Sequence, residues 1–177
     1  MASVAVNGGA AQRSRVTQLA VTFSGVAALP ANPAAAFRLA RFGGGQVGGF
    51  TATAATVGGV TVVTLTGFTG AETVGGSLAD GRYALTVLAG QVANFDGNGD
   101  GTAGDDYVLN GTATNGLFRY YGDADGDGDV DGSDLVAFVP TLFNAGAYNP
   151  AFDFDGDGDV DGTDLVAFVQ NLFVPLP

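Results

Sequence analysis

The chain has 177 residues, 46% of them hydrophobic, with 30 Gly and 6 Pro, which suits one large folded domain or two small ones and excludes a low-complexity chain. It lacks Cys, His, Trp and Lys, its six basic residues are all Arg, and Glu72 is its one Glu, so thiolate, imidazole and Schiff-base catalysis and the usual zinc, copper, haem and iron–sulfur sites are excluded. The net charge of −12 is local: 16 of the 18 acids are Asp between Asp96 and Asp164, a pattern that points to cation binding and away from nucleic acid.

Residues 1–118 read as short strands between Gly-rich turns. Candidate strands cover residues 15–23, 36–42, 60–66 and 82–88, with Leu19, Val21 and Phe23, then Tyr83, Leu85 and Val87, alternating at period two. Gly43 to Gly45, Gly48-Gly49, Gly58-Gly59 and Gly75-Gly76 mark the turns. Strands at this spacing predict an all-β sandwich, and the run from Leu78 to Tyr83 predicts a tyrosine corner, in which the phenol returns to the backbone ahead of a core strand.

The β-region ends in an acidic loop, Asp96-Gly97-Asn98-Gly99-Asp100-Gly101. Its first half has calcium-loop spacing, but Gly104 and Tyr107 stand where later ligands belong. It is either a third metal site, from Asp96, Asn98, Asp100, Thr102, Asp105 and Asp106, or a loop built of Asx turns. A last strand is expected over residues 117–121. The short connection and the aromatics Phe118, Tyr120, Tyr121, Tyr148, Phe152 and Phe154 suggest that the two parts of the chain dock on each other.

The remainder is a tandem repeat. Residues 123–144 and 153–174 are identical at 17 of 22 positions, at an offset of 30, which implies two copies of one unit related by a pseudo-twofold axis. Each copy opens with a 12-residue loop of calcium-binding pattern. The first offers Asp123, Asp125, Asp127, Asp131 and Asp134 around Gly128 at the sixth position; the second offers Asp153, Asp155, Asp157, Asp161 and Asp164 around Gly158. A hard cation takes about six to eight oxygens, and alternate residues of a tight loop point inward only if a glycine makes the turn. Asp129 and Asp159, at the seventh position, are expected to offer backbone carbonyls, and Asp131 and Asp161 to act through water. Asp in place of Glu at the twelfth position predicts affinity toward the micromolar-to-millimolar range.

Each loop leads into a helix. Leu135, Phe138, Val139 and Leu142, and likewise Leu165, Phe168, Val169 and Leu172, fall at helical spacing and are expected to form the core between the helices. Asp131 and Asp161 are placed to cap the helix N-termini. Pro140 should kink or shorten the first helix, whereas Gln170 leaves the second intact.

The two D-x-D-G-D-G-D-V-D-G-[ST]-D-L loops, each followed by one helix, resemble type I dockerin modules over residues 119–177. The order VTFSG, AAFRLAR, TVVTLT and DGRYALTVLAG in residues 1–118 is similar to bacterial Ig-like domains. These resemblances imply a multidomain α+β chain: an Ig-like β-sandwich, then a small α module of two calcium loop–helix (F-hand) motifs. They imply an extracellular or surface-exposed bacterial protein, its export signal upstream of Met1, and a cohesin-like domain as partner. Ser133 and Thr163 lie at loop positions that contribute to cohesin contact in dockerins, although the basic residues usual on the dockerin helix are missing. Tyr121 and Phe154 are further candidates for a partner or interdomain contact, Phe154 because it replaces Ala124 of the first copy.

The expected function is a non-catalytic, calcium-folded architectural or assembly unit, monomeric, packed against its own β-domain, with the cohesin-binding module as the alternative. A glycosidase would need two carboxylates across a cleft, and only Glu72 and Asp80 lie outside the loops. No apolar run reaches the roughly 18 to 20 residues of a membrane span.

Overall fold

The computed structural model describes residue 1 and residues 3–176. The fold is mostly β, with antiparallel sheets and two short helices. One sheet has the order β1-β2-β5-β4, formed by β1 (Ser3–Val6), β2 (Gln18–Thr22), β4 (Gly49–Val57) and β5 (Val60–Thr69). The other centres on β8 (Gly81–Val87), which pairs with β3 (Phe37–Arg41) along one edge and with β9 (Tyr107–Asn110) and then β10 (Phe118–Arg119). A small hairpin joins β6 (Thr73–Val74) to β7 (Ser77–Leu78).

The alternation seen in the sequence places Leu19, Val21, Val63 and Leu65 from the first sheet in one buried cluster with Leu39, Tyr83, Leu85 and Val87 from the second. In β5 the alternation breaks at Gly67, whose φ of 65° lets the chain shift phase and return Phe68 to the core. The Gly58-Gly59 turn joins β4 to β5 with positive φ at both residues, as a tight two-residue hairpin requires. The Tyr83 hydroxyl donates to the Ala79 carbonyl at 2.6 Å, the return to the backbone expected of a tyrosine corner.

Several boundaries differ from expectation. The first predicted strand contracts to Gln18–Thr22 because the backbone from Ala10 to Val16 contacts other parts of the chain. The last contracts to Phe118–Arg119 because Tyr120 and Tyr121 turn into a second core. Strands β1, β4 and β9 carried no clear signal. β4 reads GFTATAATV and is largely exposed, so its Ala and Thr give little contrast between faces.

The second core joins Val130, Phe138, Val160 and Phe168 of the repeat to Phe118, Tyr120, Tyr121 and Phe152 from the segments that precede its two copies. Helix α1 spans Gly132–Phe138 and α2 Gly162–Asn171. Pro140 has the expected effect, since α1 gives way to a 3-10 turn over Val139–Thr141 while α2 continues through Gln170. Phe138 and Phe168 are fully buried, and Leu135, Leu142, Leu165 and Leu172 partly so. Val139 and Val169 depart from the expected core stripe: both face solvent, at 56% and 55% exposure.

The two cores meet around Arg119. Its side chain is buried, pairs with Asp80 at 2.7 Å, donates from Nε to the Ser14 carbonyl, and lies over the rings of Tyr121 and Phe154. Asp80 also accepts from the Tyr121 amide and from Asn171 Nδ2. Tyr121 and Phe154, in edge-to-face contact at 4.9 Å, therefore serve the contact between β-region and repeat. A segment from Ala10 to Arg15 runs across the same junction and touches both acidic loops.

Candidate metal centre

Each acidic loop is shaped by its own carboxylates. In the first, Asp123 accepts from the amides of Gly126 at 2.5 Å and Gly128 at 3.1 Å. Asp134 accepts from Ala124 at 2.7 Å and from Asp131 at 2.8 Å, tying the start of the loop to the start of α1. The second repeats this, with Asp153 on Gly156 and Gly158, and Asp164 on Phe154 and Asp161. Asp131 and Asp161 cap the helices, each completing a capping box with the Asp three residues on.

Four carboxylate triads arise among the described residues, all in these loops. Asp123, Asp125 and Asp134 form one and Asp129, Asp131 and Asp134 another, with ligand atoms within 4.8 Å of one another; Asp153, Asp155 and Asp164, and Asp159, Asp161 and Asp164, are their counterparts. The twelfth-position Asp belongs to both triads of its loop. Asp129 and Asp159, expected to contribute through backbone carbonyls, bring their carboxylates into the clusters. Asp127 and Asp157 join no triad; each accepts from the amide two residues on.

The donor set is entirely oxygen, which suits a hard divalent cation such as Ca2+. Burial adds to the case. Asp123, Asp134, Asp153 and Asp164 are all at most 3% exposed, and among the described residues no Arg lies within ion-pair distance of the first loop's carboxylates. Burial pushes the Asp123 carboxyl up to about 7, offset in part by the Gly126 and Gly128 amides and reinforced by Asp134 and Asp127. Burial likewise raises Asp134 and Asp164, with neighbouring carboxylates adding to the shift. Clustered buried carboxylates are costly without a counter-charge, and a cation held by both triads of a loop would supply it.

In the third loop, Asp96 accepts from Gly99 and Gly101 at the same offsets as Asp123 and Asp153. Asn98 and Asp100 make Asx turns onto Asp100 and Thr102, and Asp106 turns away to accept from the Ala89 amide. Neither Asp105 nor any other acid of this loop enters a carboxylate triad. Ser133 bonds inward, its hydroxyl donating to Asp131 at 2.6 Å, and the Thr163 amide donates to Asp161.

Sequence reasoning missed the residues that reach the loops from a distance. Ser14 and Arg13 amides both donate to the Asp123 carbonyl at 2.9 Å, and the Ser14 hydroxyl donates to the Ala151 carbonyl. Arg15 reaches Asp153 from the other end of the chain, and the Tyr148 hydroxyl reaches it from five residues away. Arg13 to Arg15 carry no local motif, and their contacts span more than a hundred residues. One local trace exists: Gly126, at φ 82°, sits so close to the Ala11 carbonyl that a Cβ there would collide with it.

A scan against protein-family models and searches of curated proteins and solved structures return no match for this chain. Among the described residues, no helix is long and apolar enough to cross a membrane.

Proposed function

We propose that this chain is a non-catalytic extracellular calcium-binding unit of a bacterial surface or secreted protein. In this reading residues 119–177 are a dockerin-like pair of calcium loop–helix motifs, packed on an Ig-like β-sandwich of residues 1–118 as an architectural element. The observation that carries it is the pair of equivalent oxygen clusters, each closed by a buried carboxylate that also anchors a helix N-terminus. Calcium there would relieve carboxylate repulsion and fix both loops and helix starts, so binding energy becomes folding energy. An Asp at the twelfth position favours affinities near extracellular calcium levels, so folding would follow export.

Thermal melts with calcium and with chelator test this reading. Calcium at a hundredfold excess over Kd should raise Tm by about 5 to 10 °C. Asp123→Ala with Asp153→Ala should abolish that rise while the β-region keeps its strand signal. An unchanged melt in millimolar calcium would overturn the proposal.

Recognition of a cohesin-like partner is the second reading. Its support is a set of exposed apolar residues related by the repeat: Val136 with Val166, Val139 with Val169, and Phe143 with Phe173, each at least 55% exposed. Apolar side chains on such a surface suit an interaction face. Calcium-dependent capture of a cohesin domain, lost on Val136→Asp with Val166→Asp, would favour this use.

A further inference from the structure

The two loops carry the same carboxylates at the same positions, yet their surroundings differ. At the second loop, Arg15 Nη1 lies 3.7 Å from Asp153 Oδ2 and donates to the Asp153 carbonyl at 2.8 Å, while Nη2 donates to the Gly75 carbonyl at 2.6 Å. The Tyr148 hydroxyl donates to the same Oδ2 at 2.7 Å. At the first loop, among the described residues, the Asp123 carboxylate accepts from the Gly126 and Gly128 amides and from no hydroxyl. The nearest Arg there, Arg13, spends its guanidinium on the carbonyls of Ala10, Ala11, Gln12 and Gly116 and makes no ion pair with Asp123. Arg119 is committed to Asp80.

We propose that Arg15 is an internal counter-cation for the second loop, so that the two loops fill in order, the loop of residues 123–134 first and that of residues 153–164 second. The inference rests on the calcium reading given above. A guanidinium beside the first-position carboxylate offsets part of the second loop's charge before any metal arrives and repels a divalent cation that does. The first loop, among the described residues, has no guanidinium at ion-pair distance, Arg13 acting on Asp123 only from farther away. Because Arg15 also grips the Gly75 and Asp153 carbonyls, it stays in place as the second site fills. The second loop should therefore need on the order of tenfold more calcium than the first.

The amides of Gly128 and Gly158 donate to Asp123 and Asp153 respectively, so each reports its own loop. Their 15N-1H signals should be followed while calcium chloride is added to the chelated full chain at constant pH. The Gly128 signal should reach its midpoint at about tenfold lower calcium than Gly158. Arg15→Gln should bring the two midpoints together, and Arg15→Lys, which keeps the charge, should preserve the gap. The wild-type order is read without any substitution, which keeps the test decisive if Arg15→Gln disturbs folding. Coincident midpoints in the wild type, or a gap unchanged in a folded Arg15→Gln protein, would overturn the role of Arg15 while leaving calcium binding intact. No response of either amide in millimolar calcium would overturn both this inference and the calcium reading.

Discussion

The rings of Phe138 and Phe168 stack at a centroid distance of 4.4 Å and an interplanar angle of 23°, each the other's counterpart in the repeat. Around them the symmetry extends to the backbone. The Phe143 amide donates to the Val160 carbonyl and the Phe173 amide to the Val130 carbonyl, both at 2.8 Å. The segment after each helix is thus tied to the acidic loop of the other copy. Neither copy can close its core alone.

Truncating one ring should therefore damage both halves of the repeat. Phe168→Ala removes a fully buried side chain that also contacts Phe152, and should cost about 3 to 5 kcal/mol. Denaturant unfolding in saturating calcium checks this. The loss should come with weaker calcium binding at both loops; a loss confined to the second loop would contradict the shared core.

The Asp80–Arg119 pair joins the β-region to the repeat. Arg119 is 1% exposed, and burial holds its guanidinium below the usual value, with Asp80 working in the opposite direction. Asp80→Ala leaves that charge unpaired and also strands the Tyr121 amide and Asn171 side chain, so it should cost about 3 to 5 kcal/mol. Asp80→Ala combined with Arg119→Met should cost less than Asp80→Ala alone, because the isolated buried charge is gone. A double-mutant cycle by denaturant unfolding makes the comparison, and simple additivity would contradict it.

Glu72 gives the β-region an acid-sensitive tie. Its hydrogen bond from Arg41 and a second from the Gly45 amide hold its carboxyl below the ordinary value. A carboxyl depressed in the folded state contributes stability above its unfolded pKa, near 4.5, and that stability is lost as pH falls through the folded value. Glu72→Gln should lower Tm at pH 7 and lower it less at a pH well below 4.5, as the folded carboxyl takes up its proton. Equal losses at both pH values would show that the charge is irrelevant.

Much of this architecture is written locally. The alternation in β2, β5 and β8, the paired glycines of the tight turns, the caps at Asp131 and Asp161, and the break at Pro140 each follow from a residue and its immediate neighbours. The acidic clusters were readable for the same reason, since a loop's spacing fixes which carboxylates can face one another. What stayed hidden is non-local or low in contrast. Strand β4 offers Ala and Thr on both faces, so its pairing with β5 decides its conformation. Val139 and Val169 are exposed alike although only α2 continues past that position, so the apolar spacing alone does not convey which of its residues the shared core covers. Arg15 became part of the second loop's environment only when the chain folded across more than a hundred residues, whereas Tyr148 lies five residues before Asp153 and carries no motif that marks it as a donor to that carboxylate.

In the proposed reading the two acidic loops bind calcium, and doing so completes the fold. Isothermal titration of the chelated chain with calcium, with hydrodynamic size measured before and after, tests it most directly. At least two sites are expected, saturating in the micromolar-to-millimolar range, with compaction to a monomer as they fill. Absence of binding at millimolar calcium, or a metal-free chain already as compact and stable as the loaded one, would contradict it.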